Sequence, residues 1–187
     1  MLNILVIGTG MYSTGRGTEG FGTVLPAITE WMRFKEQKNK IIFVGTNGIN
    51  SDAAKLKAEK LFQDTNIELN LSFLPANDIV DRNAYLSAIK DLPRPACAIV
   101  VVPDHLHYKV TYDCLMEDLP VLLVKPLTPT AEEGMKLVKL AEKRSLYAAV
   151  EFHKRWDKSN LMIKDRIQKG DLGELLYCWV EYSQRKS

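Results

Sequence analysis

A short apolar strand that runs directly into a pair of glycines constrains the fold more than any other feature. Residues 2–7 are almost all apolar and are followed at once by Gly8, Thr9 and Gly10. A strand that ends in a Gly-x-Gly turn uses the first glycine to turn tightly. It uses the second to let a phosphate approach the backbone. This arrangement predicts the first strand and the binding turn of a dinucleotide-binding fold.

Short apolar segments and helical patterns alternate through the first four fifths of the chain. Strands that are apolar on both faces belong in a parallel sheet with helices on both sides. The alternation therefore predicts an α/β fold, a doubly wound parallel sheet of the Rossmann type, over residues 1–151. The predicted strands are residues 2–7, 41–46, 67–74, 96–102, 121–125 and 146–151, and the predicted helices are residues 23–35, 51–62, 83–92, 106–117 and 130–143.

The pattern changes after residue 151. A polar segment leads to a predicted helix at about residues 161–169, a turn at 170–173 and one strand at 174–183. Since a lone strand cannot form a domain, residues 152–187 are expected to begin an incomplete second α+β domain of a longer protein. The strand is apolar on both faces, so we expect a homo-oligomer formed by pairing of this strand, or disorder after about residue 157.

Composition excludes several classes of protein. The 187 residues include 25 basic and 23 acidic side chains, which gives no reason to expect nucleic acid or an anionic membrane as a partner. No apolar run approaches membrane-spanning length. The three cysteines are far apart and form no CxxC pair, which fits a reducing cytoplasm. His105 and His107 have no cluster of cysteines or carboxylates beside them, so we expect no metal site.

The glycine-rich turn and the second strand leave the choice of cofactor open. The third glycine of a GxGxxG motif would fall at Ser13, so we expect an expanded loop and no helix before Thr23. Arg16 in this loop can meet a phosphate or a substrate carboxylate, or be an ordinary surface arginine. The second strand ends without a carboxylate, and Asn47 there can bond a ribose hydroxyl without repelling a 2′-phosphate. NAD and NADP both remain open.

Five motifs in order along the chain resemble the Gfo/Idh/MocA oxidoreductase family. The first is the turn at residues 8–10, and Val-Pro-Asp-His-Leu-His at 102–107 is similar to the family's Thr-Pro-Asn-x-x-His. Val-Lys-Pro at 124–126 is similar to Glu-Lys-Pro, and His-Lys-Arg-Trp-Asp at 153–157 to the family's Asn/His-x-Arg-Phe-Asp. The segment at 170–173 is similar to its Gly-x-x-Gly turn.

The resemblance implies an NAD- or NADP-dependent oxidoreductase that acts on a sugar, a cyclitol or a related alcohol. Lys125 takes the place of the family's catalytic lysine, where an ammonium can orient and polarise the reacting hydroxyl. An ordinary exposed lysine is the rival interpretation. His107 is expected either to line the site or to pack beside it, and Arg155 either to contact a polar end of the ligand or to lie on the surface. The expected cofactor contacts are Gly8, Thr9, Gly10, Met11, Tyr12, Asn47, Pro103, Asp104, His107, Lys125, Pro126 and Arg155.

Two departures from the family pattern keep a second function open. Val124 replaces the glutamate before the lysine, and no Asp-x-x-x-His pair follows within the chain. The chain is therefore expected to be inactive alone, as the nucleotide-binding part of an enzyme. The alternative is a non-catalytic NAD(P)-binding regulatory or sensor module, and a reading frame that continues past Ser187 would favour the enzyme.

Overall fold

A single parallel sheet organises residues up to Glu151. The structure is a computed structural model that describes residues 2–34, 39–181 and 183. The sheet has six strands in the order β3-β2-β1-β4-β5-β6, all paired in parallel. The prediction of a doubly wound parallel sheet is confirmed. The strands are β1 (Asn3–Ile7), β2 (Lys40–Val44), β3 (Asn70–Leu74), β4 (Ala96–Val100), β5 (Val121–Val124) and β6 (Ala148–Glu151).

Helices cover the sheet because strand side chains alternate between its two faces. Leu5 and Ile7 of β1 pack into one apolar cluster, with side chains from the helices between β3 and β6. Ile4 and Val6 pack into the other, with side chains from the two helices that flank β2. The helices are α1 (Met11–Thr14), α2 (Val24–Arg33), α3 (Gly48–Thr65), α4 (Ala84–Asp91), α5 (His107–Met116), α6 (Ala131–Lys143) and α7 (Lys158–Gln168).

Two helix starts differ from the prediction. A short helix, α1, begins directly after Gly10, whereas no helix was expected before Thr23. The helix expected to begin at Ser51 begins at Gly48, because the Asn47 side chain accepts a hydrogen bond from the Ile49 N–H and caps it. The Ser51 hydroxyl is buried and donates instead to the Leu74 carbonyl oxygen at the end of β3, at 2.7 Å. The expected end of helix 23–35 lies outside the described residues.

Residues 152–187 form a separate unit. By its internal contacts the chain divides into Met1–Glu151 and Phe152–Ser187. The second unit contains a 3₁₀ turn (His153–Trp156) and α7. The strand expected at 174–183 is not formed at its described positions, and position 182 lies outside them. A strand needs hydrogen-bonded neighbours, and this unit has no other strand among its described residues.

None of the helices in the described ranges combines the length and the apolar character needed to span a bilayer.

Candidate functional site

The carboxyl ends of β1, β2 and β4 surround a cavity of about 730 Å³. It lies where the strand order reverses, because β1 has β2 on one side and β4 on the other. Ligands of open parallel sheets bind in the crevice at such a reversal. The residues that line the cavity include Gly8, Thr9, Gly10, Arg16, Gly45, Thr46, Asn50, Arg82, Asn83, Tyr85, Val101, Val102, Pro103, His105, Leu106 and Lys109.

A smaller cavity of about 270 Å³ adjoins the first. Gly10, Val101 and Val102 line both cavities, so the two share one wall at the ends of β1 and β4. The remaining residues of the smaller cavity come from α1 and from the ends of β5 and β6. They are Met11, Tyr12, Val124, Lys125 and Glu151.

Gly8 and Gly10 are both glycines, for different physical reasons. Gly8 has φ +120°, and a Cβ there would lie 2.0 Å from the Val101 carbonyl oxygen. The close approach of β4 therefore requires Gly8. Gly10 has φ −83° and ψ −170°, an ordinary extended conformation, and a Cβ there would meet no atom within 4 Å. Gly10 lines both cavities, and the open space beside it fits a turn that a phosphate can approach.

The expanded loop after α1 folds back onto that helix. Gly15 ends α1 with φ +74°, and a Cβ there would lie 2.0 Å from the Gly20 carbonyl oxygen. Lys57 of α3 holds the far side of the loop, since its ammonium donates to the carbonyl oxygens of Thr18, Glu19 and Gly20. Ser13 of α1 is fully buried. The position where a third glycine would stand is therefore inside the protein and not on an open loop.

Arg16 is held at the edge of the larger cavity by two neutral acceptors. Its Nε donates to the Thr9 carbonyl oxygen at 3.0 Å, and its Nη1 donates to Asn50 Oδ1 at 2.9 Å. Asn50 lies in the first turn of α3, directly after the end of β2. The guanidinium therefore joins the turn after β1 to the start of the helix after β2.

Lys125 shares the smaller cavity with a carboxylate that the sequence motifs did not indicate. Glu151 lies at the end of β6, beside Val124 in the register of β5 and β6. Its Oε2 accepts a hydrogen bond from the Tyr12 hydroxyl at 2.9 Å. Burial raises the pKa of Tyr12, and the bond to Glu151 raises it further, so the phenol stays protonated as a donor at neutral pH.

His107 lies beneath the ends of β4 and β5. Its side chain is fully buried. Nδ1 lies 2.6 Å from the Pro126 carbonyl oxygen, and Nε2 lies 2.9 Å from the Val102 carbonyl oxygen. The ring therefore links the backbone next to Lys125 to the end of β4. Of the two alternatives considered for His107, the geometry favours packing beside the site.

The structure brings only some of the expected contact residues together. Gly8, Thr9, Gly10 and Pro103 line the larger cavity, and Gly10, Met11, Tyr12 and Lys125 line the smaller one. Asn47, Asp104, His107 and Pro126 are absent from both linings, and the Asn47 side chain is engaged as a helix cap. Arg155 belongs to the second unit, where its guanidinium lies 4.6 Å from the centre of the Phe152 ring.

Sequence reasoning missed Asn50, Arg82, Tyr85, Lys109 and Glu151 as cavity residues. A signal existed for Glu151, since it is the last residue of a strand and parallel strands end at the same edge of the sheet. The others are on helices or in the segment before α4, where no motif marks them. Among the described residues, no group of three or more His, Cys, Asp or Glu side chains is arranged to hold a metal ion.

Comparison with protein families matches most of the chain to a single family. Residues 2–152 match the Gfo/Idh/MocA model, which describes an oxidoreductase family with an NAD-binding Rossmann fold. A scyllo-inositol 2-dehydrogenase (NADP(+)), IolW, of Bacillus subtilis is 34% identical over 99 residues, 53% of this chain and 28% of the relative. An inositol 2-dehydrogenase of Corynebacterium glutamicum is 33% identical over 79 residues, 42% of this chain and 23% of the relative.

Solved structures share the fold at low sequence identity. An NAD binding oxidoreductase from Klebsiella pneumoniae superposes with a TM-score of 0.66 at 16% identity, covering 92% of this chain and 40% of that one. A myo-inositol 2-dehydrogenase from Lactobacillus plantarum gives a TM-score of 0.62 at 17% identity, covering 94% of this chain and 43% of that one. The chain therefore spans less than half the length of these proteins.

Proposed function

Because the chain belongs to the Gfo/Idh/MocA oxidoreductase family, with its NAD-binding Rossmann fold, we propose that it is the cofactor-binding part of an enzyme that oxidises or reduces a polyol. NAD or NADP is the cofactor that this family's fold binds. One observation carries the proposal most strongly. The cavity at the strand reversal shares Gly10, Val101 and Val102 with a smaller cavity that Lys125 lines.

The residues of both cavities fit a dinucleotide. The side chain missing at Gly10 leaves room for the pyrophosphate, and the larger cavity at the ends of β2 and β4 suits the adenosine half. The smaller cavity, with Met11, Tyr12 and Lys125, suits the nicotinamide half. When bound, the nicotinamide ring supplies the hydride chemistry of the family.

Lys125 is proposed to act as the acid–base group for the proton of the reacting hydroxyl. Its exposed ammonium lies just after the end of β5, and a positioned cation there can orient and polarise a substrate oxygen. Val124 cannot help to hold the lysine. Glu151, on the neighbouring strand and in the same cavity, supplies a carboxylate, and the protonated Tyr12 hydroxyl fixes the position of that carboxylate.

The substrate class rests on the relatives. Two of them are named as inositol dehydrogenases, at about one-third identity over roughly half of this chain or less. A cyclitol or a sugar alcohol is therefore the substrate class that we propose. The part of those proteins that this chain does not match is the larger part, so the reaction is proposed for the product of the complete reading frame that contains this chain.

A lysine substitution tests the proposal. Lys125→Met should lower turnover of an inositol with NAD or NADP by about 10²–10⁴-fold, the range for a lost acid–base group, and leave the dissociation constant of the cofactor nearly unchanged. Lys90→Met, at an exposed position on α4, is the matched control and should change neither quantity. Cofactor binding without turnover of any polyol by the unmodified protein would favour a non-catalytic NAD(P)-binding module.

A further inference from the structure

Cationic side chains line the larger cavity with no acidic side chain among them. Arg16, Arg82 and Lys109 line it, and within the described chain its lining contains neither aspartate nor glutamate. The charge of the Lys109 ammonium is balanced by an ion pair, because it lies 2.7 Å from the Asp113 carboxylate on the same helix. Arg16 and Arg82 therefore leave positive charge at the cavity.

The charge of Arg16 is fixed in place and not neutralised. Both of its acceptors, the Thr9 carbonyl and the Asn50 side-chain amide, are uncharged. A guanidinium carries five N–H donors, so three remain for a ligand. No carboxylate among the described residues forms an ion pair with Arg16. A half-buried cation held by neutral groups is a ready partner for an anion.

The end of β2 itself carries no carboxylate. Proteins that prefer NAD place a carboxylate there to bond the ribose hydroxyls. Here Gly45 and the exposed Thr46 occupy the position. Asp81 is far from Thr46 in the sequence but close to it in space, since the Asp81 N–H donates to the Thr46 carbonyl oxygen. The Asp81 Oδ1 accepts from the Asn83 N–H at 2.7 Å, and Asp81 is not among the residues that line the cavity.

We propose, resting on the proposed function, that the cofactor is NADP and that Arg16 binds its 2′-phosphate, with Arg82 adding charge at the same cavity. The phosphate carries about −1.5 to −2 charges at neutral pH and accepts charge-assisted hydrogen bonds from a guanidinium. The 2′-hydroxyl of NAD is neutral and gains little from Arg16. The arginine in the expanded loop thus selects between the two dinucleotides.

Titration of the 187-residue chain with NADPH and with NADH tests this selection. The unmodified chain should bind NADPH at least about tenfold more tightly than NADH, since hydrogen bonds between charged groups contribute that much. Arg16→Gln should weaken NADPH binding by about tenfold or more and change NADH binding by less than about threefold. Arg33→Gln, which removes an exposed arginine paired with Glu30 on α2, is the matched control and should change neither.

The possible results distinguish a failure of the NADP proposal from a failure of the proposed oxidoreductase function. Equal weakening of NADPH and NADH by Arg16→Gln would show that Arg16 binds a group common to both, and the selection by Arg16 would be wrong. Tighter binding of NADH by the unmodified chain would overturn the assignment of NADP while the proposed function stands. Binding of neither dinucleotide would overturn the proposed function itself.

A second variant tests the position of the 2′-phosphate independently, in case Arg16→Gln does not fold. Thr46→Asp places a carboxylate at an exposed position just after the end of β2. It should weaken NADPH binding by about tenfold or more through repulsion of the 2′-phosphate and leave NADH binding equal or tighter. Unchanged NADPH binding in Thr46→Asp would place the 2′-phosphate elsewhere and overturn the proposal.

Discussion

The two glycines of the turn after β1 have different roles: the fold requires Gly8, and ligand binding is expected to require Gly10. The Val101 carbonyl oxygen approaches Gly8, whereas nothing approaches Gly10. A side chain at position 8 therefore tests folding, and one at position 10 tests binding. The two glycines look alike in the sequence, and only the distances to neighbouring atoms distinguish them.

Gly10→Val should keep the thermal midpoint of the chain within about 2–4 °C, because a Cβ there meets open space at an ordinary φ. Its affinity for NADPH and NADH should fall at least about tenfold, since the side chain fills the space that the phosphates need.

Gly8→Ala should lower the free energy of unfolding by at least about 2 kcal/mol, from strain at positive φ and contact with Val101. Calorimetry measures the stability of both variants, and titration measures their affinity for the cofactor. Normal cofactor affinity in Gly10→Val would place the ligand elsewhere.

His107→Leu should lower the free energy of unfolding by about 1–3 kcal/mol, because the carbonyl oxygen of Pro126 or of Val102 loses the buried ring N–H that donates to it. His105→Leu is the matched control, since that side chain is exposed, and it should change stability by less than about 0.5 kcal/mol. Urea unfolding measures both variants. Equal stability of the two variants would mean that His107 contributes no more than a surface residue.

Several residues could be predicted from the sequence as neighbours of the crevice, and others could not. Thr9 and Pro103 follow from their places directly after β1 and β4. Asn47 was expected to meet a ribose, but its oxygen caps α3, and sequence position alone cannot choose between two hydrogen bonds that one side chain can make. The hydrogen bond from Arg16 to Asn50 could not be predicted, because it joins positions 34 residues apart.

At the scale of elements, the six strands of the sheet follow from apolar periodicity, and two exceptions have separate causes. Six strands form where β-branched and apolar runs predict them. Helix α1 was missed because its four residues are too few to show a helical repeat. The segment 174–183 shows the alternation of a strand, but alternation describes only the side chains, and a strand forms only where backbone partners exist.

The loop between α1 and α2 depends on a contact from a third helix. Lys57→Met should remove the hydrogen bonds to Thr18, Glu19 and Gly20 and make the amides of residues 16–22 exchange faster with deuterium. Lys60→Met, an exposed position on the same helix, should leave exchange in the loop unchanged. Unchanged exchange in Lys57→Met would mean that the glycines of the loop fix its path without Lys57.

At the scale of the whole molecule, the packing of the first unit is complete without the second. Both apolar clusters, and every residue that lines the two cavities, lie at or before Glu151. The second unit presents an apolar segment instead, since Leu176, Tyr177 and Trp179 are each more than 80% exposed. Exposed apolar side chains in such a run favour association with another chain.

A chain cut after Glu151 should therefore keep its urea midpoint and its affinity for the cofactor, because its core and cavities are intact. It should sediment as a monomer at all concentrations, whereas the 187-residue chain should self-associate as its concentration rises. Sedimentation velocity at several concentrations compares the two. A full chain that stays monomeric throughout would exclude association through residues 174–181.

The central position of β1 sets the order in which a growing chain can complete its sheet. Asn3 donates from its side chain to the Pro93 carbonyl oxygen, 90 positions later, and β1 pairs with β4 along its whole length. At about 5–20 residues per second, the ribosome needs roughly 5–20 s to add the intervening residues. During that interval one edge of β1, whose residues are all buried in the folded chain, faces solvent or a chaperone. Of the six strands β1 is made first, yet its second neighbour is complete only after β2 and β3 have also been made.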